Sequence, residues 1–143
     1  MLIEDRIVIN APRSVVWGIT CDIEAWPAWL PTMTSVRRVD SGPFGLGSAA
    51  DIKQPGQSEV RWTVTAFEDG RSFTWVAPRP GITVAGSHLV TEVDGGTECV
   101  VSIEVTGFLG FLLGPMLKKS IARTIALENT TLKAVAERMA QAH

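Results

Sequence analysis

The sequence has little of what nucleic-acid-binding and metal-dependent chains are built on. Thirteen basic residues stand against fifteen acidic ones, for a net charge of −2, and no basic run occurs. Phosphate backbones are held by clustered Lys and Arg, so a nucleic-acid partner is not expected. Cysteine appears only as Cys21 and Cys99, with no CxxC pair. That pattern supports neither a disulfide framework nor structural zinc, and two lone thiols fit a reducing compartment as small hydrophobes. Histidine appears only as His88 and the terminal His143, too few for a typical zinc centre, so no metal or cofactor is expected. The phosphate-cradling and nucleophile motifs GxGxxG, GxxxxGK[ST] and GxSxG are missing. The longest uncharged apolar stretch, Val105 to Leu117, has 13 residues and is broken by Gly107, Gly110, Gly114 and Pro115. A bilayer span needs about 20, so stable membrane insertion is not expected. The opening MLIEDRIVIN alternates and carries Glu4, Asp5 and Arg6, unlike a signal peptide, which points to a cytoplasmic protein.

What is present suits one globular domain over residues 1–143: 45% hydrophobic and 20% charged residues. Residues 2–9 read as a strand. Asn10 and Pro12 suit the start of a short helix carrying Val15, Val16 and Ile19, and Asp22 the start of a second, ended by Pro27 and Pro31. From Thr32 to Thr106 the period becomes two, with strands expected at 33–40, 47–53, 58–67, 71–77, 82–93 and 97–106. Turn chemistry separates them: GPFGLG, QPGQ, Asp69-Gly70, Pro80-Gly81 and Asp94-Gly95-Gly96. Such short connections make an antiparallel meander. Residues 111–141 then read as one long helix. At about 100° per residue, Leu117, Ile121, Ile125, Leu132, Val135 and Met139 fall within about 40° of one direction. Gly114-Pro115 either kinks this helix or marks its start. One long apolar stripe is available to cover one face of a seven-stranded sheet.

In this order of elements, the chain resembles the helix-grip superfamily. That group takes in START-related lipid-binding domains, birch-pollen-allergen-like proteins and polyketide cyclase/dehydrase-like proteins. The residues that carry the resemblance are APRSVVWGITCDIEAWPAWLP, WTVTAFEDGRSFTW from Trp62, GGTECVVSIEVTG from Gly95, and the C-terminal amphipathic helix. It implies an α+β fold in which a curved seven-stranded antiparallel sheet wraps around the C-terminal helix, with two short helices after the first strand. It further implies a cavity between sheet and helix for a lipid, polyketide or other hydrophobic small molecule. Fold alone does not decide function. A carrier or sensor needs only the cavity, while a cyclase or aromatase needs polar groups in it. The chain has no tyrosine, which removes one common polar pocket group.

Trp62, Phe73 and Trp75 lie on neighbouring expected strands, where they either fill core or wall a cavity. His88 shares a face with Val84 and Val90 and is a candidate acid or base. Glu128 falls about 20° from the centre of the apolar stripe. Buried there it needs a donor, an arginine, or a raised pKa in a cavity; a structural hydrogen bond to a backbone or indole N–H is the expected account. In DIEAWPAWLP, Trp26 is expected to seal the core and Trp29 to line the cavity beside Met33. Ile121 and Ile125 complete the expected lining from the helix. Arg61 and Arg71 are read as solvent-facing, and Arg79 as a group at the cavity mouth. Residues 107–117 are read as a packed lead-in to the helix, with a partner- or membrane-contacting lip as the alternative.

Overall fold

The computed structural model describes residues 1–142; His143 lies outside the described residues. Strand β1 (Leu2–Ile9) is followed by helix α1 (Arg13–Cys21) and a 3-10 turn (Ile23–Ala28). The strands β2 (Ser35–Arg38), β3 (Ala49–Lys53), β4 (Val60–Glu68), β5 (Ser72–Arg79), β6 (Ile82–Val93) and β7 (Gly96–Thr106) come next, and helix α2 (Phe108–Gln141) closes the chain. The sheet has the order β1-β7-β6-β5-β4-β3-β2, every neighbouring pair antiparallel. This is the helix-grip arrangement. The caps differ from expectation. Neither Asn10 nor Asp22 caps through its side chain; the backbone N–H of Asn10 instead donates to Glu137 at 2.7 Å. The long helix starts three residues before the expected position and runs through Pro115.

Register lays the inner face out in rows. One row crosses the sheet as Phe67, Phe73, His88, Val101 and Asp5; the next as Val64, Trp75, Gly86, Ile103 and Ile3. Period-two alternation puts each row on one face. A bulge between Val64 and Ala66 twists β4 locally without moving Val64 out of the core. The β6–β7 turn ends at Gly96, where a Cβ would sit 2.1 Å from the Ile9 carbonyl oxygen, so only glycine lets the hairpin meet the end of β1.

Helix α2 packs on β1 and β7 and only lightly on β6. Polar groups fix its position along β1. Asn129, fully buried, donates through Nδ2 to the Asp5 carboxylate (2.8 Å) and backbone carbonyl (3.1 Å). Lys133 donates to the Val8 carbonyl and pairs with Glu137. Ile125, Leu132 and Ala136 bury the stripe beside them. Met139, past the last of these anchors, is exposed despite its place on the stripe. Removing the Asn129 amide strands partly buried acceptors on β1. Asn129→Ala is therefore expected to lower the unfolding free energy by about 1–3 kcal/mol, measured by urea denaturation; an unchanged midpoint would contradict the anchor.

Candidate functional site

The concave face of β3 to β5 is left uncovered by α2, and a cavity of about 660 Å³ lies there. Trp62, Trp75, Ile52 and Val84 form its sheet wall, Met33 and Trp26 its end, and Leu117, Ile121, Ile125 and Glu128 its helix wall. Arg79 and Pro80, from the β5–β6 hairpin, lie at its rim. Gly86 keeps this space open: a Cβ there would lie 3.3 Å from the Trp75 indole nitrogen. A smaller recess of about 20 Å³ adjoins it, sharing Trp26, His88, Val101 and Glu128.

Of the residues expected in the lining, Met33, Trp62, Trp75, His88, Ile121, Ile125 and Glu128 stand on the wall of the large cavity. Phe73 and Trp29 do not. Phe73 shares a face with Trp75 but sits one row further along, sealed by Phe44 (5.1 Å between centroids), Trp17 (6.3 Å) and the stacked His88 ring (4.9 Å). Trp29 follows the 3-10 turn and borders only the small recess, with Thr20, Leu30 and Leu132. Trp26 takes the expected place of Trp29: its ring meets Trp75 edge-on at 5.5 Å and borders the cavity. Gly86, Gln54 and Thr124 also border it. Thr124 was within reach of the same helical arithmetic, three residues from Ile121.

The polar groups here are unusually free. Trp17 donates its indole N–H to Asp69 and Trp26 donates to the Ile19 carbonyl, but among the described residues those of Trp62 and Trp75 have no protein acceptor and are not sealed off. They can donate to a ligand oxygen. The Glu128 carboxylate likewise has no protein donor among the described residues, so the expected structural clamp is absent; its oxygens open onto the cavity. Desolvation alone pushes its pKa from 4.5 up to about 7. Desolvation pulls His88 from 6.5 down to about 4, and its Nδ1 is enclosed without a partner. At neutral pH the site thus holds a neutral imidazole and a carboxyl close to half-protonated. Burial raises the Cys21 and Cys99 thiols to about 12, which makes both poor nucleophiles. Arg61 is not simply solvent-facing: it and Arg37 bind the Asp51 carboxylate at 2.9 and 3.0 Å, away from the cavity. No group of three or more His, Cys, Asp or Glu is placed to hold a metal ion among the described residues.

The family model described as polyketide cyclase / dehydrase and lipid transport matches residues 2–137. The chain belongs to that family. It is 32% identical over 78 residues to a provisionally assigned polyketide cyclase of Streptomyces halstedii; the match covers 53% of this chain and 59% of that protein. In fold it is similar to the Zhui aromatase/cyclase of Streptomyces sp. R1128, with a TM-score of 0.77, 17% identity, and 96% and 94% of the two chains covered. It is also similar to a START superfamily protein of Mycobacterium smegmatis, with a TM-score of 0.75, 19% identity, and 96% and 98% covered. Identities this low speak for the fold alone.

Glu128 gives the site a pH signature. Between pH 4.5 and 7 the unfolded chain ionises this carboxyl while the folded chain keeps its proton. The stability it permits is therefore full below pH 4.5 and lost as pH rises towards 7. Glu128→Gln removes that loss, so the variant is expected to gain on the parent by about 1–3 kcal/mol across this window. Urea denaturation at a series of pH values measures it, and a difference that does not change with pH would contradict a desolvated carboxyl.

Proposed function

We propose that this protein binds a largely apolar small molecule bearing oxygen functions, such as a polyketide or lipid, in the cavity beneath α2, as carrier or sensor. The observation that carries the reading is the cavity itself: about 660 Å³, walled by tryptophans, with indole N–H groups free to donate. That volume lies within the range of small-molecule sites, roughly 300–1,000 Å³, and the mix of apolar wall and few polar groups is their usual make-up. Flat indoles supply contact area with little loss of side-chain freedom. The family description, which names both lipid transport and polyketide cyclisation, is consistent with it.

A second reading, a cyclase- or dehydrase-type enzyme, is favoured by one specific observation: Glu128 and His88 border the same cavity with pKa values pushed towards each other's range. The ionised form of Glu128, made more basic by burial, can take a proton from an acidic C–H and return it to an enolising or departing oxygen, while the neutral His88 imidazole, which burial keeps from accepting a proton, can offer a hydrogen bond. Arg79 at the rim suits an acidic group on the far end of the molecule.

Mass spectrometry of an organic extract of the purified protein tests the first reading, with a hydrophobic compound in stoichiometric amount as the expected result. Glu128→Leu is expected to keep the fold and shift which compounds are retained, because it trades an acceptor for apolar surface. Identical retention by parent and variant would remove Glu128 from the site. Under the enzymatic reading, Glu128→Gln and His88→Phe each lower turnover at least a hundredfold while extractable ligand persists.

A further inference from the structure

The first turns of α2 are built inside out. Of residues 108–120 only Gly110 and Gly114 are buried. Their missing side chains let the helix sit close on the sheet end: a Cβ at Gly110 would lie 3.0 Å from Val105, and one at Gly114 would lie 3.2 Å from the Met1 sulfur. The large apolar side chains point the other way. Phe111 is 82% exposed, Met116 78%, Phe108 72% and Leu112 52%. An ordinary surface helix hides such residues, and contiguous apolar exposure of this kind marks an interaction surface.

The charge pattern identifies the partner. At about 100° per residue, Phe108, Leu112, Met116, Lys119 and Arg123 fall within about 40° of the direction opposite Ile121, while the exposed Phe111 and Lys118 lie to one side, about 100° and about 120° from it. Apolar residues come first and basic ones follow; no acidic residue occurs between Glu104 and Glu128. A tilted helix of this kind presents apolar side chains to an acyl layer and, about 5–20 Å further along its axis, cations to the phosphates above it. The same end of the molecule carries the cavity rim. Leu109 N–H donates to the Gly81 carbonyl of the β5–β6 hairpin, whose Arg79 and Pro80 border the cavity, as does Leu117. No helix among the described residues is long and apolar enough to cross a membrane, so the contact is peripheral.

We propose that the start of α2 docks the protein on an anionic lipid bilayer, with Phe108, Phe111, Leu112 and Met116 entering the interface and Lys118, Lys119 and Arg123 holding its phosphates. Docking places the rim of the cavity against the membrane surface. The proposal rests on the helix and not on what fills the cavity: a chain that yields no extractable ligand yet binds anionic vesicles leaves it intact.

Flotation of the full chain with phosphatidylcholine vesicles, with and without phosphatidylglycerol, tests it. Binding is expected only to the anionic vesicles and is expected to weaken with salt. Each cation near an anionic surface contributes about fivefold, so Lys118→Ala/Lys119→Ala is expected to lower affinity about twenty-fivefold. Phe111→Ser/Met116→Ser is expected to abolish flotation with an unchanged circular dichroism spectrum. Failure of the parent chain to float with anionic vesicles overturns the proposal, as does equal binding to neutral ones. So does a concentration-dependent dimer that Phe111→Ser/Met116→Ser dissolves without any vesicle binding, which would assign this face to a second copy.

Discussion

One helix cannot cover seven strands. At a spacing of about 4.8 Å the sheet is roughly 29 Å wide, whereas a helix with its side chains is about 10 Å across. The sheet must curl, and the helix must choose where on it to lie. The choice is made at β1: the Asn129 amide, gripping the Asp5 carboxylate and carbonyl, pins α2 to the β1–β7 side. Everything between α2 and the far strands is then left to side chains too few to fill it. The cavity is thus the geometric remainder of a two-layer packing problem, placed by one buried polar contact.

That placement also explains the chemistry of the wall. Glu128 precedes the anchoring asparagine, so the same contact that buries Asn129 holds the carboxyl at the edge of the covered zone, desolvated but unpaired. His88 stands in the cross-strand row that ends at Asp5, between the stacked Phe73 ring and the cavity. Trp75, one row away, has room because its cross-strand partner is Gly86. Polar groups left without protein partners are expensive in a purely structural core. Here two indoles and a carboxyl stand without protein partners on the wall of one space, and the His88 ring, its Nδ1 enclosed without a partner, borders it too.

Much of this was legible in the sequence because it is written locally. Asp69-Gly70 and Pro80-Gly81 mark hairpins whose glycines take positive φ, and alternation between them gave strands within a few residues of their true ends. The helical arithmetic brought Glu128, Ile121 and Ile125 to one side. What failed depends on tertiary placement. Phe73 and Trp75 share a face, and only the landing site of α2 and the position of Phe44 decide which is core and which is wall. Trp26 seals the core as expected and also borders the large cavity, whereas Trp29, just past the 3-10 turn, reaches only the small recess. The helix start was set too late because Gly107, Gly110, Gly114 and Pro115 read as breakers. Gly107 is indeed the turn residue, with a φ of 94°, but the other two glycines are needed for close packing, and Pro115 is accommodated.

The central claim is that the space beside Trp75 is a binding site and not a packing defect. Titration with a fluorescent apolar probe, read by quenching of tryptophan emission, tests it most directly when the parent is compared with Gly86→Leu, which fills that space from the sheet side. The account predicts saturable binding of one probe per chain in the parent and its loss in a variant that folds normally. Equal binding by the two proteins would contradict it.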